Sequence, residues 1–330
     1  MSHSDQIPNS AGGVPARPAE TAANRRHMAA LLAVTGLLVI VLPFFVYPIF
    51  LLKLMCFALY ASAFNLLLGY CGLLSLGHAA FFGGGSYVAA LALARWGLPP
   101  EAALFLGTGM GAVMGLAFGA LAIRRRGIYL TMVTLGLAQL VYFVAVSSRY
   151  LGAEDGIQGV RRGWLFGVLD LSDDRTLYVV VATIFTLAIL VIYRITFSPF
   201  GRVVRALRAN EARAQSLGID IAQAKLRIFV LSAAFSGLAG ALKALVFQIA
   251  TLNDLSLSNS GEVVLMTLIG GVGTFFGPLI GAAVVVISQN YLAWLGEWVV
   301  FSQGLIFVVC VLAFREGIVG VIAKRVKKPL

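Results

Sequence analysis

Ser198-Pro199-Phe-Gly201-Arg202-Val-Val-Arg205-Ala-Leu-Arg208-Ala-Asn-Glu211-Ala212-Arg213-Ala-Gln-Ser-Leu-Gly218 is a basic, amphipathic stretch between two long apolar ones, near 177–197 and 227–250. Ser198 suits a helix N-cap and Pro199 suits the first turn. Val203, Leu207, Ala214 and Leu217 fall near one face, while Arg202, Arg205 and Arg208 step by three along another. The spacing predicts one helix that ends at Gly218, where glycine tolerates a left-handed cap. A charged helix between two segments that need no water is a loop between membrane spans. From these residues alone two surfaces suit it: anionic lipid, or another protein.

The rest of the chain agrees with membrane burial. Hydrophobic residues make up 60% of the 330 and charged residues 12%, where a soluble domain carries about 25% charged residues. Several apolar runs reach the roughly 20 residues that a helix needs to cross a bilayer. They are continuous rather than alternating, which argues against a transmembrane β-barrel. The net charge of +11 marks cytoplasmic loops, not a nucleic-acid surface. Cys56, Cys71 and Cys310 lie in apolar surroundings, without metal or disulfide spacing. Residues 1–24 are polar and read as a disordered cytoplasmic N-terminus. A transmembrane domain is expected over 25–320, then a basic tail over 321–330.

Apolar segments stand near 29–47, 49–69, 76–95, 101–123, 128–148, 177–197, 227–250, 262–288 and 290–313. Lys and Arg in short loops set orientation. Arg124-Arg125-Arg126, the loop 198–226 and the tail Lys324-Arg325-Val-Lys327-Lys328 read as cytoplasmic. The more acidic loop 149–176 reads as external. Nine full crossings from a cytoplasmic N-terminus would leave the basic tail outside, so one segment must fail to cross. Gly270-Gly271-Val-Gly273 and Gly277-Pro278 interrupt 262–288, and such breaks sit only where protein or a polar cavity surrounds them. The expectation is an all-α polytopic membrane protein with about eight transmembrane helices, a re-entrant or broken segment at 262–288, and both termini cytoplasmic. Gly107, Gly111, Gly115 and Gly119 recur every four residues, as do Gly273, Gly277 and Gly281. Such stripes let helices approach closely, inside one bundle or between subunits.

Polar groups within the spans are few: Lys53, Asn65, His78, Gln139, Lys243, Gln248 and Glu262. A mid-bilayer charge costs about 2.5–3.5 kcal/mol on insertion scales, so these are functional candidates. Glu262 reads as a charge at a helix start; His78, among small residues, reads as a hydrogen bond between helices or a lining group.

Several blocks carry a resemblance. The pattern Glu211-Ala212-x-Ala, then Gly218, then Ile228 resembles the cytoplasmic coupling loop of ATP-binding-cassette import permeases. This chain closes that pattern with Ile228-Phe-Val-Leu231, without the usual terminal proline. Asn65-Leu-Leu-Leu-Gly69-Tyr70-Cys71-Gly72-Leu-Leu-Ser75-Leu-Gly77-His78-Ala-Ala-Phe81-Phe82-Gly83 resembles the M-type permease of high-affinity branched-chain amino-acid importers. Arg126-Gly127-Ile-Tyr129, Ser198-Pro-Phe-Gly-Arg202 and Ser260-Gly-Glu262 through Gly277-Pro278 agree. The resemblance covers about residues 50–290.

It implies an importer permease fold in a bacterial inner membrane. The implied partners are a second homologous permease subunit, two cytoplasmic ATPase subunits, an external substrate-binding protein and membrane lipid. The implied ATPase-coupling residues are Ser198, Pro199, Gly201, Arg205, Glu211, Ala212, Gly218 and Ile228. The candidate pathway residues are Asn65, His78, Glu262, Gly270 and Gly271. At 151–156 the chain reads Leu-Gly-Ala-Glu-Asp-Gly, where the family often shows Thr-Gly-Gly before its Asp/Asn-Gly; related permeases carry urea, amides or aromatic acids. The chain has no Gly-Lys dipeptide and so no phosphate-binding loop of that type, so neither a cofactor nor catalysis is expected in it. An ion-coupled secondary transporter would favour buried acids in paired repeats, and no clear repeat is seen.

Overall fold

This computed structural model describes residues 47–125 and 127–292, and beyond them only 294, 296, 298, 301, 302, 304, 305, 308 and 317–320. The expected spans at 29–47 and 290–313, residues 1–24, Arg126, Cys310 and the tail 321–330 lie wholly or mostly outside the described residues.

Helix α1 (Pro48–Asn65) begins with Pro48 in its first turn and runs on into a six-residue π-helical segment, Leu66–Cys71. Gly72, at φ +77°, ends it. Then follow α2 (His78–Ala94), α3 (Pro100–Ala122), α4 (Ile128–Ser147) and α5 (Asp174–Thr196). Asp173 caps α5, and the backbone N–H and hydroxyl of Thr176 hold its carboxyl below the usual carboxylate range. Two short helices, α6 (Pro199–Ala209) and α7 (Glu211–Ser216), form the basic loop. Helix α8 (Ile221–Phe247) is the longest, at 27 residues. A 3₁₀ turn, Leu252–Leu255, leads to α9 (Leu257–Gly270) and α10 (Gly277–Leu292).

Among the described residues, five helices are long and apolar enough to cross a bilayer: Pro48–Cys71, α3, α4, α5 and α8. Helix α2 is shorter. The break expected inside 262–288 is present at 271–276, but its first helix starts earlier than expected. Ser256, not Glu262, is the cap, accepting from Asn259 N at 3.3 Å. Glu262 therefore lies well inside α9 rather than at a helix start.

The centre of the bundle is α2, α3 and α8, brought together by small residues. A Cβ on Gly237 of α8 would come 2.6 Å from the Gly107 carbonyl and 2.9 Å from Gly111 Cα. One on Gly111 would come 2.5 Å from the Ala233 carbonyl, and one on Gly107 would come 2.7 Å from Ala241 Cβ. The stripe Gly107-Gly111-Gly115-Gly119 thus packs within this chain, against α8. Lipid offers helices no hydrophobic drive to associate, so close backbone contact supplies the attraction. Phe81, Phe118 and Phe229 fill the space below in edge-to-face contacts of 5.1 and 5.7 Å.

Helices α9 and α10 lie side by side as an antiparallel hairpin. A Cβ on Gly270 would meet the backbone of Gly277, and one on Gly281 the Met266 carbonyl. At 14 residues and 1.5 Å per residue, α9 is about 21 Å long, short of the roughly 30 Å hydrocarbon core. At 16 residues α10 is about 24 Å long, also short of that thickness.

The loop 149–176 is ordered. It holds a two-stranded hairpin, Trp164–Leu165 with Leu169–Asp170. Ile157 and Ala250 exchange two backbone hydrogen bonds of 2.9 Å, which fasten the loop to the end of α8. Arg162 donates to the Val246 carbonyl at 2.9 Å and pairs with Asp174 at 2.8 Å. An arginine at a helix C-terminus satisfies carbonyls that the helix leaves free. Helix α5 starts beside this loop and ends at the basic one. At 23 residues it separates them by about 35 Å.

Candidate coupling loop and translocation segment

The single helix expected over 198–218 is two. Asn210 leaves helical geometry (φ −161°, ψ 106°) and accepts Arg213 N at 3.0 Å, capping α7. Asn is among the preferred caps because its side chain satisfies a free N–H. Ser198 caps α6 as expected, accepting Gly201 N at 3.2 Å while its hydroxyl donates to the Ile195 carbonyl at 2.6 Å. Gly201 is buried, and a Cβ there would strike the Thr196 carbonyl, so only glycine lets α6 turn off α5.

Gly218 (φ +81°) does end the loop helices. Gly218 N reaches the Gln215 carbonyl at 3.0 Å and Ile219 N the Ala214 carbonyl at 3.2 Å, the paired bonds of a Schellman cap. Leu207, Ala214 and Ala224 form a small core with Val203, Ile219 and Ile221 against it. Glu211 closes that unit from the side, its Oε1 2.5 Å from Lys225 Nζ. Ile228 is buried within α8. Among the predicted coupling residues, then, Gly201, Glu211 and Ile228 build the loop, while Pro199, Arg205, Ala212 and Gly218 face outward. Leu217, expected on the packed face, is instead 75% exposed. The Schellman turn swings it off the small core. An exposed leucine beside exposed Arg202, Arg205 and Arg213, on a rigid two-helix unit, is a surface made for contact.

Asn65 is 2% exposed, and its amide grips the hairpin's link with both ends. Nδ2 donates to the Thr274 carbonyl at 2.9 Å, and Oδ1 accepts Gly273 N at 3.0 Å. The backbone groups freed by the break are thus partly satisfied by one buried side chain. Thr274 does more of the same: its hydroxyl donates to the Gly271 carbonyl at 2.8 Å and accepts Gly277 N at 3.1 Å. Gly270 and Gly271 are buried where the backbone of Gly317 passes.

The other predicted pathway residues stand apart from this clamp. His78 is fully buried, with Nε2 2.9 Å from Ser232 Oγ. Ser232 donates its own proton to the Ala63 carbonyl at 2.6 Å, so Nε2 carries the hydrogen. Phe64 and Phe81 meet the ring edge-on at 4.8 and 5.2 Å. His78 joins α2, α8 and α1. Glu262 lies on α9, with Gln289 of α10 and Lys53 of α1 as its polar neighbours.

One buried acid was not singled out from the sequence. Asp254, 5% exposed, pairs with Lys243 at 2.7 Å. It also accepts Thr251 N at 3.2 Å and the Ser86 hydroxyl at 3.3 Å. The signal was Lys243 itself: a lysine inside an apolar helix needs a counter-charge, and Asp254 is the first acid after it in the chain.

Comparison with known proteins identifies this architecture. The family described as "Branched-chain amino acid transport system / permease component" matches residues 47–314. The high-affinity branched-chain amino acid transport system permease protein LivM of Salmonella typhimurium is 29% identical over 287 residues, 80% of this chain and 68% of that one. LivM of Escherichia coli is 28% identical over 288 residues, with the same shares. The fructose import permease protein FrcC of Rhizobium meliloti is 26% identical over 230 residues, 66% of this chain and 63% of that one. No solved structure matches. The block from Asn65 to Gly83, the loop after Ser198 and the broken hairpin all fall within the matched range, and the chain belongs to the family of branched-chain amino acid transport system permease components, a multi-pass, all-α inner-membrane transport component rather than an enzyme.

Proposed function

We propose that the chain is one of two permease subunits of an ATP-driven importer for branched-chain amino acids, receiving solute from an external binding protein. The observation that carries the reading is the loop 198–221. It is a pre-formed unit with its own small core, an ion pair across it, and an outward face of Pro199, Arg202, Ala212 and Leu217. This face is the docking surface for a cytoplasmic ATPase. A helix that merely lay on lipid would turn its apolar side toward the membrane; here Leu207 and Ala214 turn inward to their own core. The chain carries no phosphate-binding loop, so the energy source lies in a partner. The greater coverage by LivM than by the fructose permease favours amino acids as cargo. Helix α4, with Tyr129, Met132, Leu140 and Phe143 exposed, offers an apolar face to lipid or the second permease. Asn65, Gly270 and Gly271 hold the inner end of the pathway segment; Glu262 lies on its first helix, and His78 ties α2 to α8 and α1 beside it.

The test is reconstitution of the chain with its second permease, ATPases and binding protein in liposomes. Uptake of labelled leucine should need ATP and the binding protein. Gly218→Arg puts a side chain at φ +81° in the loop, and uptake should fall while membrane insertion persists. Normal uptake by that variant refutes docking through this loop; leucine-independent ATP hydrolysis with uptake of another solute class refutes the substrate.

A further inference from the structure

Two exposed side chains on α6, Arg208 and Arg205, each start a line of contact, and both lines end on the same six residues, 271–276. Arg208 sends Nη1 to the Gly69 carbonyl, in the π-helical end of α1. That carbonyl is among those a helix leaves free at its C-terminus; Leu73 N, which would follow it in a continued helix, bonds to the Leu67 carbonyl instead. The negative end of the helix draws the guanidinium. The stem of Arg208 lies against Gly72, where a Cβ would come 3.1 Å from Arg208 Cγ. The space where a side chain on Gly273 would begin is taken by Arg208 Nη1 at 2.9 Å and the Gly69 carbonyl at 3.0 Å. One turn earlier in the π-ended helix, Asn65 holds Gly273 N and the Thr274 carbonyl.

Arg205, three residues before Arg208 and so on a neighbouring line of α6, starts the second path. Its guanidinium lies 5.7 Å from the centre of the Phe197 ring. Phe197 packs on Tyr193 at 4.5 Å, and Tyr193 meets Phe275 edge-on at 5.2 Å. One path is polar and runs through α1; the other is aromatic and runs through the end of α5. They share only α6 at one end and the link 271–276 at the other.

We propose that Arg208 and Arg205 are positioning residues that drive the 271–276 link, so that movement of α6 closes or frees the inner end of the broken hairpin. This rests on the reading of α6 as an ATPase docking helix. The link suits the role. It is irregular backbone between two short helices, held by hydrogen bonds to side chains rather than by a helix ladder. A π-helical segment is an under-wound stretch that often marks a functional site, and here it is the element between arginine and link. When α6 shifts, Arg208 leaves the Gly69 carbonyl and vacates the space beside Gly273. The link then has room to move toward α1, and Phe275 loses its seat on Tyr193 if Arg205 withdraws from Phe197.

The experiment uses the reconstituted importer with the native cysteines replaced and Val272→Cys as a reporter in the link. Its labelling rate by a small water-soluble thiol reagent is compared without nucleotide and with ATP trapped by vanadate. The rate should change between the two states. Arg208→Ala should remove that change and lower leucine uptake about tenfold, within the range of coupling between sites, while the ATPase still copurifies and hydrolyses ATP. Arg208→Lys, which keeps a donor, should restore part of both. If Arg208→Ala does not fold, as judged by a monodisperse peak in detergent, the lysine variant and Phe197→Leu carry the test, and each should shrink the labelling change. A labelling change and uptake that survive in the Arg205→Ala, Arg208→Ala double variant overturn the two paths and leave docking standing. Failure of the unaltered chain to copurify with its ATPase overturns docking, and this inference with it.

Discussion

Asn65 does with one amide what a continuous helix does with a ladder. It supplies one donor and one acceptor to a broken backbone, and both ends are buried. Asn65→Ala strands Gly273 N–H and the Thr274 carbonyl, each costing roughly 1–3 kcal/mol. The melting temperature of the purified chain should fall, and Asn65→Asp should be no better, since a carboxylate faces the Thr274 carbonyl without a donor. A melting curve of Asn65→Asp that matches the unaltered chain would show that the amide is not the clamp. From the sequence, Asn65 stood out as a polar residue in an apolar run, but its partners lie more than two hundred positions away, beyond the reach of any periodicity. His78 was legible as a bond between helices for a simpler reason: its small neighbours leave room for only one side chain to cross. The swing of Leu217 was not legible, because helical periodicity runs straight through a cap whose glycine reverses the chain one residue later.

At the scale of elements, the broken hairpin was legible and the broken coupling helix was not. Gly270, Gly271, Gly273 and Pro278 cannot sustain a helix, so their chemistry announces the interruption. At Asn210 the arginine spacing continues past the break, and only the capping preference of Asn before Glu211 hinted at a second helix. The turn between α8 and α9 hides a stronger interaction. Lys243 and Asp254 are each held in low-dielectric surroundings, so removing one partner leaves a charge uncompensated. Lys243→Met or Asp254→Leu alone should destabilise by about 3–5 kcal/mol, and the two together should recover most of it. A double-variant cycle read by denaturation in detergent checks this; strict additivity would mean that the pair is not coupled.

For the whole molecule, the trio α2, α3 and α8 is the central frame, and the hairpin and α6 both pack chiefly on α1 and its π-helical end beside it. At Gly111 and Gly237 the trio's contacts are backbone against backbone, so no flexible side chain can give way there. Gly237→Val should prevent the trio from closing and lower the yield of folded, monodisperse protein severely, whereas Gly109→Val, where nothing stands within 4 Å, should be tolerated. Equal yields would mean that the stripe is not the seam. The orientation rests on charge: the basic tail 324–328 predicts that a reporter active only outside the inner membrane is silent when fused to the C-terminus. A bright fusion would require the hairpin α9–α10 to cross.

The shortness of that hairpin also bears on how the chain is made. Two helices of 14 and 16 residues give the insertion machinery no segment long enough to release sideways into lipid as a finished span. The receptor for their turn, Asn65, has by then been in the membrane since early in synthesis. The hairpin must therefore be fitted by the protein itself onto a seat already built, after the ribosome has passed it. A chain cut short before residue 257 would already hold its earlier spans, with the seat built and empty. Biogenesis of this permease thus includes an internal docking step, and quality control of the nascent chain has that step to monitor.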